Sequence, residues 1–235
     1  MSGSAFARLA LVITLSVLLI RSLRQEPLSA AELRQRLPRC VIGLALFGFG
    51  IALLVQSNLG VAPWDVLHQG LAKRFNVEFG LVMNVVGLAV LPLWIPLRQR
   101  IGLGTVLNTL EIGLVVDLVR PHLDAPDALL SRWLFMLVGL AVIALGSGMY
   151  IGSGLGPGPR DGIMTGLKAL GLSVRMGRTL VEITTLGLGF LLGGTAGIGT
   201  VVFMFGIGPM VQFVLDRMSL PAIDRSVASV PAAAV

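Results

Sequence analysis

The sequence predicts an all-α, polytopic membrane protein made of two copies of one three-helix unit. Charged residues make up 13% of the chain and hydrophobic residues 55%, whereas soluble domains carry about 25% charged residues. The mean hydropathy is +0.89. Long apolar segments lack the alternation typical of barrel strands, so they predict helices, which satisfy their own backbone in lipid. A third observation is a pattern that occurs twice along the chain.

The repeated pattern contains a Pro-x-Asp element. Residues 57–65 read Ser-Asn-Leu-Gly-Val-Ala-Pro-Trp-Asp, and residues 153–161 read Ser-Gly-Leu-Gly-Pro-Gly-Pro-Arg-Asp, an offset of 96 positions. Further on, Gly-Leu-Gly-Thr-Val at 102–106 matches Gly-Ile-Gly-Thr-Val at 197–201, an offset of 95 positions. Two separate matches at nearly one spacing predict a tandem duplication.

The N-terminal region, residues 1–40, predicts a short hydrophobic helix followed by a basic linker. Residues 9–20 form an apolar run, which is short for a span of roughly 20 residues. A signal peptide is the alternative interpretation. Because Arg21, Arg24 and Glu26 follow the run where an uncharged cleavage region is expected, an uncleaved helix is favoured.

Six apolar segments near spanning length then follow in two groups of three. The first membrane repeat, 41–120, and the second, 131–217, are followed by a tail, 218–235, whose composition predicts disorder. A short amphipathic helix is expected after each Pro-x-Asp element, between the first and second spans of its repeat. The predicted spans are 41–55, 79–97 and 103–119 in the first repeat, and 133–151, 179–192 and 198–215 in the second.

The Pro-x-Asp elements allow two interpretations. Glycine and proline break the backbone there, Pro63 and Pro159 suit a first helical turn, and an Asp follows each proline by two residues. Each element is either a loop leading to a helix in the membrane interface, or a broken helix whose N-terminus lines a cavity. The middle position is Trp64 in one copy and Arg160 in the other. Arg160 favours an anionic ligand, or it pairs with the adjacent Asp or with lipid phosphate.

Polar residues inside the apolar segments are further candidates. A charge at the bilayer centre costs about 3 kcal/mol, so such residues usually face a cavity or a partner. Glu111 and Asn108 share a helix face, and Asn84 lies at nearly the repeat position of Glu182. Arg178, four residues before Glu182, offers local pairing as the alternative. The candidate solute-binding residues are Trp64, Asp65, Asn84, Asn108, Glu111, Arg160, Asp161 and Glu182.

Several functional classes are not supported by the sequence. Cys40 is the single cysteine, His68 and His122 are far apart, and 152–158 lacks the Gly-Lys-Ser/Thr ending of a phosphate loop. No catalytic, metal or cofactor site is therefore predicted. The net charge of +6 comes from short basic clusters between apolar runs, which is typical of cytoplasmic loops rather than of nucleic-acid binding.

The distribution of Lys and Arg predicts the orientation in the membrane. If the 21–39 linker is cytoplasmic, most loop arginines lie inside. The C-terminus then lies in the cytoplasm too. Because each repeat supplies three spans, the second repeat enters from the opposite face, and the topology is inverted. The positively charged residues left outside are Lys73, Arg74, Arg120 and Arg132.

The combined motifs resemble the YczE/YyaS/YitT family of bacterial integral membrane proteins, most closely its YczE branch. They are Asn-Leu-Gly-x-x-Pro-Trp-Asp at 58–65, Gly-x-Gly-Pro-Arg-Asp-Gly at 156–162 and Gly-Ile-Gly-Thr-Val at 197–201. The resemblance covers about residues 40–215 and implies a multi-pass protein of the bacterial inner membrane. YitT-type members carry a soluble C-terminal domain, whereas this chain has a short tail. The resemblance supplies neither a substrate nor residue roles.

The duplication, the paired helix breaks and the buried carboxylates together predict a secondary transporter or permease for a small anionic or zwitterionic solute. Arg160 would hold the anionic group, and Glu111 or Glu182 would carry a proton or bind a cation. The alternative is a non-transporting membrane scaffold that docks a cytoplasmic enzyme or supports metabolite export. Membrane lipid and a small solute are the expected partners, nucleic acid is not, and a homo-oligomer is left open.

Overall fold

The computed structural model describes residues 29–220 as an all-helical chain, with eight α-helices and no strand in that range. The predicted N-terminal helix and nearly all of the predicted tail lie outside the described residues. Short 3-10 turns follow α3 at Leu91–Trp94 and α4 at Arg120–His122. The helices are α1 Ala30–Ser57, α2 Pro63–Phe75, α3 Phe79–Val90, α4 Leu103–Val119, α5 Leu129–Gly152, α6 Pro159–Ala169, α7 Val174–Leu191 and α8 Ile198–Met218.

Helix α1 begins well before the apolar run that starts at residue 41. Ser29 and Glu32 form a capping box, in which each side chain accepts a hydrogen bond from the other residue's backbone N–H. The helix then continues through Pro38. The second half of the expected 21–39 linker is therefore helical, because a strong N-terminal cap starts the helix before the proline.

The centre of the fold is an antiparallel crossing of α1 and α5. Gly43 of α1 lies against Gly146 of α5, and Gly50 lies against Gly139. A Cβ atom added to Gly43 or to Gly50 would lie 2.8 Å from the facing glycine's carbonyl oxygen. Glycine is required at these positions because the two backbones touch, as in closely packed membrane helices.

The third helix of each predicted repeat packs against the first. Gly48 of α1 faces Val115 of α4, and Gly148 of α5 faces Val214 of α8. The short helices cross to the other half instead. Helix α2 packs on α7, where Gly70 approaches Gly189, and α6 packs on α3 and the 3-10 turn after it. The short helix of each half therefore packs against helices of the other half.

Helix α3 is fastened to α4 by a carboxylate cap. Asp117 of α4 accepts hydrogen bonds from the backbone N–H groups of Gly80 (2.7 Å) and Leu81 (2.9 Å). These are first-turn donors of α3 that have no partner within the helix. Gly80 also abuts the carbonyl of Gly113, which brings the two backbones together. The partly buried position of Asp117 is thus explained by its role as a cap.

Three helices are long and apolar enough to cross a membrane, namely α1, α5 and α8. A fourth span is obtained if α2 and the segment Phe79–Trp94, which meet at an angle of 113°, are counted together. Six spans are predicted from the sequence. Helices α4 and α7 are not among these three. Helix α4 is shorter, with 17 residues, and α7 has 18 residues but includes three charged ones.

The outer surface of the helices is apolar. Helix α4 exposes one continuous face of large aliphatic side chains and buries the opposite face. Apolar surface of this extent is not stable in water, and a bilayer is the solvent that suits it. Together with the three apolar helices, this surface makes the chain a membrane protein. The exposed face of α4 consists of Leu103, Val106, Leu110, Leu114 and Leu118.

Candidate functional site

The two Pro-x-Asp breaks have the same local structure. In the first, the Ser57 hydroxyl donates to the Leu54 carbonyl (2.7 Å), and in the second the Ser153 hydroxyl donates to the Tyr150 carbonyl (2.6 Å). Three residues after each serine, the chain turns through a glycine with positive φ. The φ angles are +117° at Gly60 and +127° at the equivalent glycine, a conformation that residues with a Cβ rarely adopt.

Each break is anchored on the Gly-x-Gly-Thr segment of the opposite half. The Gly199 N–H donates to the Leu59 carbonyl (2.8 Å), and the Gly104 N–H donates to the Leu155 carbonyl (2.8 Å). These segments form the first turns of α8 and α4, where backbone N–H groups have no partner within the helix. Both sequence matches therefore belong to one reciprocal contact.

A cavity of about 90 Å³ lies where the first turns of α2 and α6 approach α3, α4 and α5. That is room for a few water molecules or part of a small solute. Its wall is mainly apolar, and its polar groups come from both Pro-x-Asp elements and from α3, α4 and α5. Six of the eight candidate residues line it: Trp64, Asp65, Asn84, Asn108, Arg160 and Asp161.

Arg160 and Asp161 form the charged end of this cavity. The Tyr150 hydroxyl donates to Asp161 Oδ2 (2.8 Å). The Arg160 Nε lies 3.6 Å from Asp161 Oδ1, which is ion-pair distance but longer than a hydrogen bond. Because 32% of the Arg160 side chain is exposed and the residue lines the cavity, its guanidinium donors remain available to a ligand.

Asp65 forms a second polar centre, with His68 one helical turn further along α2. The Asp65 Oδ1 atom lies 3.2 Å from His68 Nδ1, and the two residues are 5% and 7% exposed. The imidazole also packs beside the rings of Trp64 and Phe79, each with its centroid 6.1 Å away. Both polar side chains line the cavity although they are almost fully buried.

Two buried polar atoms among the cavity-lining residues have no hydrogen-bond partner in the described part of the chain. They are the Trp64 indole Nε1 and the Asn84 carboxamide Oδ1. Unpaired buried donors and acceptors are uncommon in native proteins and often occur at functional sites. One atom is a donor and the other an acceptor, so a ligand with both properties suits the site.

Residues 34–216 match the family described as "Family of unknown function (DUF6198)". The chain belongs to this family. An uncharacterized protein of Haemophilus influenzae is 42% identical over 185 residues, covering 78% of this chain and 85% of the relative. In Bacillus subtilis, the uncharacterized membrane protein YczE is 29% identical (79% and 87% covered), and the uncharacterized protein YyaS is 28% identical (78% and 92% covered). No solved structure matches the chain.

The resemblance to YczE and YyaS that the sequence predicts is thereby confirmed. The region that this DUF6198 chain shares with its family includes both Pro-x-Asp breaks, both Gly-x-Gly-Thr segments and every cavity-lining residue. The cavity is therefore built wholly from the family region of the chain.

The remaining two candidates do not line the cavity. Glu182 of α7 accepts from Arg178 Nε at 3.0 Å, so the local pairing offered as the alternative is present. Glu111 is partly buried on α4 but lies outside the lining.

Sequence reasoning missed two titratable residues that do line this cavity, His68 and Tyr150. Tyr150, the single tyrosine of the chain, lies in a span, which is a signal that could have identified it. Across residues 29–220, no three His, Cys, Asp or Glu side chains are grouped as metal ligands.

Proposed function

We propose that this DUF6198 protein is a secondary transporter or permease for a small anionic or zwitterionic solute. The observation that carries the proposal is the cavity, which is lined by both helix breaks and by the partly exposed side chain of Arg160. The unpaired Trp64 N–H is a second donor, on a residue that lines the same cavity. An arginine at the start of a helix attracts carboxylate or phosphate groups, because the helix N-terminus adds positive potential.

Two glycine contacts that the 96-residue offset converts into each other support an inverted duplication. Gly43 and Gly139 are 96 positions apart, and so are Gly50 and Gly146. Applying this offset converts the contact of Gly43 with Gly146 into the contact of Gly139 with Gly50, which is also present. A pair of contacts that exchange in this way is expected from a two-fold axis. Because α1 and α5 run antiparallel, such an axis would lie in the membrane plane, as in many transporters.

Further features support six spans and the predicted orientation. Helix α4, with its exposed aliphatic face, is about 25 Å long at 1.5 Å per residue, close to the hydrocarbon thickness. Arg39, near the start of α1, donates to the carbonyl of Met218 at the end of α8, so these two ends lie on one side. We place this basic side in the cytoplasm of a bacterial cell, with the protein in the inner membrane.

Uptake by purified protein in liposomes tests the proposal. The panel consists of radiolabelled acetate, lactate, phosphate, glycine and glycine betaine, with empty liposomes as the blank. At least one solute is expected to enter faster than the blank. Arg160→Ala is expected to reduce that uptake by roughly 10- to 100-fold, since a hydrogen bond to a charged group contributes about 1.5–3 kcal/mol. Arg160→Lys keeps the charge and should retain part of the activity.

Arg217→Ala is the matched control, because Arg217 lies at the exposed end of α8 and hydrogen-bonds to the Phe213 carbonyl away from the cavity. Its uptake should equal that of the unmodified protein. If no solute of the panel enters faster than the blank, the transporter proposal is contradicted and a non-transporting scaffold becomes the better explanation. Equal losses in the Arg160 and Arg217 variants would show that Arg160 has no specific role.

A further inference from the structure

We infer that His68 and Asp65 form a proton-binding site in the cavity, and that an anionic solute crosses together with one proton bound there. The inference rests on the proposed transport function and adds the co-transported ion. It assigns the proton to a residue pair other than Glu111 or Glu182, because neither glutamate lines the cavity and Glu182 is paired with Arg178.

The geometry of the pair suits reversible proton binding. A carboxylate only accepts hydrogen bonds, so the His68 Nδ1 atom that faces Asp65 at 3.2 Å carries the hydrogen. This hydrogen bond persists in both protonation states of the imidazole, and the exchanging proton therefore binds at Nε2. The net charge of the pair changes from −1 to zero without loss of the hydrogen bond. Histidine is the side chain that ordinarily exchanges its proton between about pH 5 and 8.

The groups around His68 set the charge of the cavity. On α2 itself His68 faces Asp65 and the Trp64 ring, and α3 contributes the uncharged Phe79 ring. Arg160 and Asp161 are the charged groups that line the cavity from α6, and α5 contributes the Tyr150 hydroxyl. Helix α4 adds the neutral Asn108 and Thr109, while α7, which packs on α2, carries the Arg178–Glu182 pair outside the lining.

These charges favour one proton for each monovalent anion. With neutral His68, the ionised forms of Asp65, Asp161 and Arg160 give the empty cavity a net charge of −1. Addition of one anion and one proton leaves this charge unchanged. Moving a charge through the bilayer is costly, so a cavity with the same charge in its empty and loaded forms can reorient at similar cost in both. Binding of an anion without the proton would make the net charge of the cavity −2.

Tryptophan fluorescence tests proton binding without any solute. Protonated imidazole quenches a nearby indole, and the Trp64 and His68 ring centroids are 6.1 Å apart. Emission from the full-length protein in detergent is expected to fall in a one-proton transition as the pH is lowered. His68→Gln should remove that transition, and His122→Gln, a control at an exposed position in the 3-10 turn after α4, should preserve it. If His68→Gln leaves the transition unchanged, or none occurs in the unmodified protein, the proton site is contradicted.

Coupling is tested with whichever anion of the uptake panel enters the liposomes. An inward proton gradient of one pH unit should drive about tenfold accumulation in the unmodified protein and in His122→Gln, since one proton moves per anion and a tenfold ratio corresponds to 1.4 kcal/mol. His68→Gln should equilibrate the anion without accumulation. Uptake that ignores the gradient, or accumulation by His68→Gln, would overturn the inference while leaving a transporter. Absence of uptake for the whole panel would contradict the transport function, and the inference with it.

Discussion

Replacement of Gly146 by valine is expected to prevent stable packing of α1 against α5. A Cβ atom at this position would lie 2.5 Å from the Gly43 carbonyl oxygen and 2.7 Å from the Phe47 backbone nitrogen. Both atoms belong to the backbone of α1, so no side-chain rotation relieves the clash. We expect a loss on the order of 4 kcal/mol or more, at the upper end of single substitutions, because the helices must separate along the central crossing.

Thermal unfolding in detergent, followed by size-exclusion chromatography, measures this effect. Gly187→Val is the matched control, because Gly187 is an exposed glycine of α7 and a Cβ there meets no atom within 4 Å. The control should unfold at or slightly above the temperature of the unmodified protein, since glycine is a poor helix former. Equal stability of Gly146→Val and the control would contradict the described crossing.

Alanine at either Gly102 or Gly197 is expected to abolish solute uptake in the liposome assay. The added Cβ would lie 2.2 Å from the Leu155 carbonyl oxygen at the first position and 2.3 Å from the Leu59 carbonyl oxygen at the second. Each substitution therefore forces one Pro-x-Asp break away from its anchor. Because the break immediately precedes a cavity helix, displacement by about 1 Å moves that helix's charged residue, and errors of this size can cost 100-fold in function.

The two variants should behave alike, since their contacts are equivalent. Uptake and the monodisperse fraction of purified protein are measured for both, with Gly187→Ala as the control that leaves each unchanged. Loss of uptake with a preserved monodisperse fraction would be the clearest result. Full activity in both variants would show that the anchoring of the breaks does not matter for transport, while loss in one alone would contradict their equivalence.

The helical segments were predictable because a chain that crosses the bilayer must do so with long apolar segments, and these form helices. Four of the six predicted spans agree with α3 to α5 and α8 within a few residues, apart from a 3-10 turn that ends the α3 segment. The beginning of α1 was missed, because Pro38 was taken to mark a boundary before the first apolar segment. Its capping box decides the start, and Ser29 and Glu32 are a sequence signal for it.

The composition of the cavity was only partly predictable. The repeated motif identified residues on α2 and α6, because the sequence match marks the break itself. Helix-face arguments failed for Glu111, which shares a stripe with Asn108 but lies beyond the cavity wall. His68 was overlooked because metal spacing was the criterion applied to histidine, and its partner is the carboxylate three residues earlier.

The central glycine crossing was also missed, because its glycines are not spaced four residues apart. Glycines four residues apart attract attention as packing stripes, whereas the antiparallel crossing uses Gly43 and Gly50, and Gly139 and Gly146, which are seven apart. A search for glycine pairs conserved across the 96-residue offset would have found all four. The proposed duplication is therefore most visible at these four contact positions.

Side-specific cysteine labelling tests the inverted duplication most directly. Cys40 is buried and is replaced by serine, and single cysteines are placed at Val77, after α2, and at Leu170, after α6. Both positions are exposed, and both follow equivalent short helices. In sealed cells, an impermeant maleimide should label Val77→Cys from outside, while Leu170→Cys should react only after the membrane is opened. Labelling of both cysteines from the same side would contradict an inverted repeat.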